Sequence, residues 1–185
     1  MALQVSKFLD VANGLQANQF SIGDRYSINS ISDLDETYKQ LMDKPIPVVM
    51  AVMGSDGRPN LTPMWFGWAG GRVYFFGRGQ KIVNLRRNPG CSVIVDRNEA
   101  FPELQAVMIQ GQANVLEDAI EEDNDLFLAE ARQQMGEKYN GGHGQPAVEE
   151  PPPNQASAGG KDSRWVVVVP ETMVTWDNYK LSSLR

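Results

Sequence analysis

The stretch "GSDGRPNLTPMWFGWAGGRVYFFGRGQKIVNLRRNPGCSVIVD", residues 54–96, decides how the rest of the chain is read. Asp56-Gly57 is a strong short-range hairpin signal between two apolar runs. The run before it, "IPVVMAVM" (46–53), has strand length and reads as a strand buried on both faces. The run after it, "LTPMWFGW" (61–68), reads as a second strand, and Pro63 places it at a sheet edge or a bulge. Ala69-Gly70-Gly71 makes a tight turn into a third strand, "RVYFFG" (72–77). Arg78 and Gly79 read as loop, and Lys81 to Asn88 as a short helix stopped by Pro89. "CSVIVD" (91–96) returns to strand.

Working outward, "LQAVMIQGQANVLE" (104–117) is a long strand, with Val107, Ile109, Gly111, Ala113 and Val115 on one face and Gly111 marking a bulge. A helix from about Ala119 to Met135 follows, and "RWVVVVPETMVTW" (164–176) is the final strand. Upstream, Leu34, Tyr38, Leu41 and Met42 recur at helical spacing over 33–42, with Ser32 as N-cap and Asp35 in the capping-box position. In residues 1–31, Phe8, Leu9 and Ala12 line one short helix, and "SIGDRYSINS" reads as loop. Residues 136–163 hold ten Gly or Pro among 28 and no periodicity, so they read as a flexible Gly/Pro-rich loop, either a lid or a surface insertion. Six strands in short antiparallel steps, with few intervening helices, predict a mainly β (α+β) single domain over 1–185: a six-stranded antiparallel split β-barrel with flanking helices.

Composition narrows the function. The net charge of −6 argues against a nucleic-acid binder, and no apolar run is long enough to span a bilayer. The start "MALQVSKFLDVANG" lacks the features of a secretory leader, so a cytoplasmic location is expected. Cys91 is the only cysteine and His143 the only histidine, too few ligands for a metal cluster. Cys91 opens an apolar strand and reads as a core residue, and His143 sits in the Gly/Pro-rich loop, which gives no sign of the rigidity that a catalytic histidine needs.

Cationic charge is concentrated in one place. Residues 72–97 hold six basic side chains and one acid, leaving 11 basic and 22 acidic residues for the rest of the chain. Lys81 falls in the first turn of its helix, where the dipole disfavours a cation by roughly 0.3–1 kcal/mol. Arg78 stands three residues away. Either both side chains reach into water, or a bound anion makes the arrangement favourable. Arg86 and Arg87 lie in the last turn, where cations suit the dipole.

The Asp-Gly-Arg-Pro hairpin, the Thr-Pro-x-Trp-Phe strand and the Lys-x-x-Asn-Leu-Arg-Arg-Asn-Pro helix together resemble the pyridoxamine-phosphate-oxidase-like family of flavin- and deazaflavin-binding split barrels. "GQANVLED" and "VVVVPETMVTWD" fit the same pattern, and the resemblance runs from about residue 34 to 178, omitting the 136–163 loop. It implies a homodimer with the cofactor, FMN or the deazaflavin coenzyme F420, at the subunit interface. It further implies that Lys81 holds the cofactor phosphate with Arg78, Gly79 and Gln80 beside it. Pro63, Met64 and Trp65 on one strand, Phe75, Phe76 and Gly77 on the next, and Trp176 would approach the ring. Many members place Ser or Arg where this chain has Gln80. The tail "VTWDNYKLSSLR" lacks the Arg-Leu-His-Asp-Arg-type signature of true pyridoxamine-phosphate oxidases, so that activity is not expected. The resemblance implies hydride transfer between the cofactor and a small conjugated substrate, with a non-catalytic cofactor carrier or sensor as the alternative.

Overall fold

The computed structural model describes residues 3–8, 22–97, 104–139 and 163–177. At its centre the Asp56-Gly57 turn closes a hairpin between β3 (Val48–Met53) and β4 (Pro59–Met64). Gly57 takes φ 76°, the Asp56 carboxylate accepts the Arg58 amide at 3.1 Å, and the Gly54 amide donates to the Arg58 carbonyl at 2.7 Å. β4 is the last strand on its side of the sheet, which is where Pro63, with no N–H to donate, is tolerated. The expected strand 61–68 is in fact two. The chain leaves β4 at Met64, and β5 (Gly67–Ala69) pairs with β6 (Arg72–Gly77) instead. Gly67 permits this, since a Cβ there would lie 2.5 Å from the Ala131 carbonyl oxygen.

The sheet is organised by β9 (Arg164–Asp177), which pairs with β8 (Gln105–Leu116) along its whole length. The first half of β9 also pairs with β6, from Gly77↔Arg164 to Val73↔Val168. Its second half pairs in parallel with β1 (Leu3–Phe8), itself hairpinned to β2 (Ile22–Ile28). β7 (Gly90–Arg97) joins β8 to β3. One strand with different neighbours on its two halves curls the sheet into a split barrel. The bulge expected at Gly111 is present as a register shift between Gln110 and Gly111, opposite Pro170.

Among the described residues nine strands stand where six were expected. Besides the split of 61–68, the additions are β1 and β2, where the sequence suggested a short helix around Phe8 and a loop over 21–30. Leu9 and Ala12 lie outside the described residues. β1 is a strand because β9, more than 160 residues away, offers it an edge, and tertiary pairing overrides weak local propensity. The "VVMAVM" strand is not buried on both faces: Val48, Met50 and Val52 are buried, Val49 and Ala51 half-buried, and Met53 exposed.

α1 (Glu36–Met42) forms with Leu34, Tyr38, Leu41 and Met42 all buried, as their spacing requires. Its N-cap is Asp35, not Ser32; Ser30 caps a preceding 3-10 turn, with Asp33 completing the capping box. The expected helix 119–135 breaks into α3 (Ala119–Asn124) and α4 (Leu128–Tyr139). The break centres on Asp125, whose carboxylate accepts the Tyr74 hydroxyl at 2.9 Å and the Phe127 amide at 3.0 Å. α4 therefore occupies the first residues of the segment read as loop. The remainder, 140–162 with His143, lies outside the described residues.

Inside the barrel, Val48, Met50, Val52, Val93, Val95, Val107, Ile109, Val166, Val168 and Met173 are buried, capped by α1 and by Ile82 and Leu85 of α2 (Gln80–Arg87). Each such side chain contributes roughly 1.5–3 kcal/mol when fully buried. A second cluster, including Tyr74, Leu116, Leu128, Ala131 and Val167, seats α4 on the outer surface of β6 and β9.

Candidate cofactor site

β6 passes into α2 through Gly79, whose φ of 67° suits glycine and whose lack of a side chain leaves the helix start without a side-chain cap. No acid occupies the first turn. The Gln80 amide is turned back along the helix, donating to Asn84 Oδ1 at 3.0 Å. Lys81 folds back over Gly77 and brings its Nζ to 2.9 Å from the Met64 sulfur. A thioether is a weak acceptor, and among the described residues no carboxylate pairs with this ammonium. Partial burial, then the charge of Arg78, hold the Lys81 pKa below its ordinary value. Two cations thus stand at an uncapped helix start with no strong acceptor for Lys81. Such a place can take an oxyanion.

The other end of α2 is structural. Arg86 makes a two-pronged contact with Glu117 at 2.7 and 2.5 Å and pulls that carboxyl below its usual pKa. Arg87 donates to Asn84 Oδ1 at 2.9 Å and to the Met53 carbonyl at 3.3 Å. Cys91 is buried, and burial followed by the charge of Glu171 pushes its thiol up to about 12. Among the described residues no three His, Cys, Asp or Glu side chains gather as metal ligands, and no helix is long and apolar enough to cross a membrane.

Beside Lys81 lies an aromatic cleft. Pro63 is exposed on β4, Met64 is buried beneath it, and Trp65, 59 % exposed, stacks on Tyr139 of α4 with centroids 5.2 Å apart and planes within 9°. Phe76 leans against Trp165 at 5.4 Å, and the Arg132 guanidinium lies 5.0 Å above the Trp165 ring. Trp65, Arg132, Met135, Gly136, Tyr139 and Trp165 line a cleft of about 210 Å³.

The structure brings Lys81, Arg78, Gly79, Gln80, Met64, Trp65, Phe76 and Gly77 into one region through β4, β6 and the start of α2. Phe75 differs: its side chain points into the barrel and is fully buried, so only its backbone borders the region. Trp176 is distant within the chain. It sits opposite Ala106 and Phe8, twelve residues along β9 from Arg164, roughly 40 Å of strand. Sequence reasoning missed Tyr139, Trp165, Arg132 and Met135. The only signal was an aromatic opening the "VVVV" run, and without the β6–β9 register nothing connects Trp165 to Phe76.

Fold and site together define a split barrel with a cationic helix start beside an aromatic cleft. The family described as pyridoxamine 5'-phosphate oxidase matches residues 34–177, and the chain belongs to that family. A conserved hypothetical protein of Mycobacterium tuberculosis is similar at 24% identity, with 84% of this chain and 93% of that chain covered and a TM-score of 0.60. An F420 reductase is similar at 22% identity, covering 76% and 98%, with a TM-score of 0.52. The haem storage protein HutZ of Vibrio cholerae is similar at 16% identity, covering 72% and 87%, with a TM-score of 0.51. At these identities the likeness shows the fold. No curated protein sequence matches the chain.

Proposed function

We propose that the protein is an oxidoreductase that binds FMN or coenzyme F420 and transfers hydride between it and a small conjugated substrate. The observation that carries the reading is Lys81: a half-buried ammonium at an uncapped helix start, with Arg78 beside it and, among the described residues, a thioether as its hydrogen-bond partner. A cofactor phosphate supplies the missing acceptor, with contacts worth roughly 1.5–3 kcal/mol each when well placed. When bound, the cofactor ring supplies the hydride chemistry, and the chain supplies position and exclusion of water. Pro63, Trp65 and Phe76, with the backbone at Phe75 and Gly77, would hold the ring on this reading. Family membership and the likeness to an F420 reductase support it.

The same reading includes a two-fold dimer with the cofactor between subunits. Its support is the outer sheet face, where Val49, Ile94, Met108 and Val174 are half-buried and Met53 and Leu61 are 38 % and 64 % exposed. A second copy would cover these side chains through an isologous contact. Trp176 belongs to that face, so a dimer is the arrangement in which it reaches a cofactor.

Absorption spectra after separate incubation with FMN and with coenzyme F420 test the reading. A retained, shifted band identifies the cofactor; uptake of neither overturns the proposal. The reduced holoprotein is then mixed with a quinone or an enone. Reoxidation faster than that of the free cofactor marks an enzyme, and an unchanged rate marks a carrier or sensor.

A further inference from the structure

Lys138 is the buried lysine among the described residues, at 3 % exposure, and the cofactor reading gives it no task. It lies on the last turn of α4 and points into the fold. Its Nζ donates to the Met42 carbonyl at 2.5 Å and the Phe66 carbonyl at 3.3 Å, and sits 3.3 Å from the centre of the Phe66 ring. Met42 ends α1, so its carbonyl is among those no helical N–H satisfies, at the pole where a cation is welcome. Neighbouring side chains reinforce the contact. Gln134, one turn earlier, accepts the Trp68 amide at 2.6 Å and donates to Asp43 Oδ1 at 3.2 Å. The Tyr139 hydroxyl donates to the Ile46 carbonyl at 2.8 Å. The end of α4 is thereby fastened to residues 42–46 and 66–68, and Tyr139 is held flat on Trp65.

We propose that Lys138 is a positioning residue whose protonation state sets how firmly the last turn of α4, and with it Tyr139 against Trp65, is docked on the barrel. Burial opposes the charge, and only the two carbonyls, the ring face and one carboxylate offset it. That carboxylate is Asp43, whose charge favours the ammonium. Of the other titratable groups on the packed elements, Tyr38 of α1 is buried, Arg132 of α4 pairs with Glu122, and Glu130 is exposed. Glu36 and Lys39 of α1 pair with each other at 2.9 Å, and Lys44 follows on the turn. Glu137 of α4 accepts from Gln133 at 2.8 Å, and burial pushes Tyr139 up to about 12. β5 carries no titratable side chain.

Burial lowers Lys138 from 10.5 to about 7 in the docked turn. Between those values the docked form binds fewer protons than an undocked turn whose lysine is hydrated, so undocking takes up a proton. Docking therefore strengthens as pH rises from about 7 toward 10.5, by at most about tenfold per unit, and levels off below 7. The consequence at the aromatic cleft rests on the function proposed above; the docking equilibrium does not.

Hydrogen exchange on the full-length, ligand-free protein tests it. Protection of the amides of residues 136–139, corrected for intrinsic rates, is expected to rise about three- to tenfold per pH unit between pH 7.5 and 9. Lys138→Met, apolar and of similar length, is expected to give a flat profile, and Lys138→Arg a flat profile at low protection. The wild-type slope is decisive by itself if neither variant folds. A flat or falling wild-type profile, the same slope in Lys138→Met, or an equal slope in the amides of β8 and β9 would overturn the proposal. Because no cofactor is present, failure here is distinct from failure of either cofactor to bind.

Discussion

The Lys81 ammonium lies 2.9 Å from the Met64 sulfur, spanning from the first turn of α2 to the end of β4. One side chain thus joins the two segments that the proposed function gives to phosphate and ring. It does so through an acceptor weak enough to be displaced by an oxyanion.

Replacing Lys81 by alanine is expected to weaken FMN or F420 binding by roughly 1.5–3 kcal/mol, about 10- to 150-fold. The melting temperature of the ligand-free protein should stay level or rise, because a cation leaves the positive end of the helix. Arg87→Ala should behave oppositely, sparing binding and losing about 1 kcal/mol of stability with its bonds to Asn84 and Met53. Titration and thermal melts of both variants check this. Equal loss of binding would mean a merely basic surface.

Glu117 receives Arg86 and, at 3.5 Å, Arg164. Its folded pKa is depressed, chiefly by the hydrogen bond from Arg86. The pairing therefore stabilises the fold above the carboxyl's unfolded pKa and loses that contribution as pH falls through the folded value. The carboxylate is partly exposed, so Glu117→Gln should cost less than about 1 kcal/mol at pH 7. Urea melts from pH 7 downward should show the gap to wild type closing.

A Cβ at Gly111 would lie 2.1 Å from the Val169 carbonyl oxygen. That contact is with backbone on the central strand, which cannot rotate away. Gly111→Ala should destabilise by about 1–3 kcal/mol or shift the register at the bulge. Alanine at Gly57, where a Cβ meets nothing within 4 Å, would strain only the backbone at φ 76° and makes the control. Denaturant midpoints rank the two.

Cys91, with its thiol held near 12 by burial, should resist iodoacetamide at pH 8 in the native protein and react fully in denaturant. Intact mass before and after unfolding reads this directly. Fast native alkylation would show that the start of β7 opens.

The sequence by itself determined the features whose causes are local. Asp56-Gly57 set the hairpin, Pro63 the edge, Gly79 and Pro89 the bounds of α2, and Gly111 the bulge. Lys81 was legible for the same reason: its conflict with the helix dipole is settled within one turn. Tertiary structure decided the rest. β1 is a strand because β9 offers an edge, and 61–68 divides because β5 finds β6. Period-two alternation shows that Phe75 and Phe76 face opposite ways, but only packing sends Phe75 inward and Phe76 to Trp165. Tyr139 meets Trp65, and Lys138 meets Met42, because α4 crosses the outer surface of β5 and β6. Contacts between residues some 70 to 100 positions apart leave no mark on either local pattern, since each depends on a partner the neighbouring sequence does not specify.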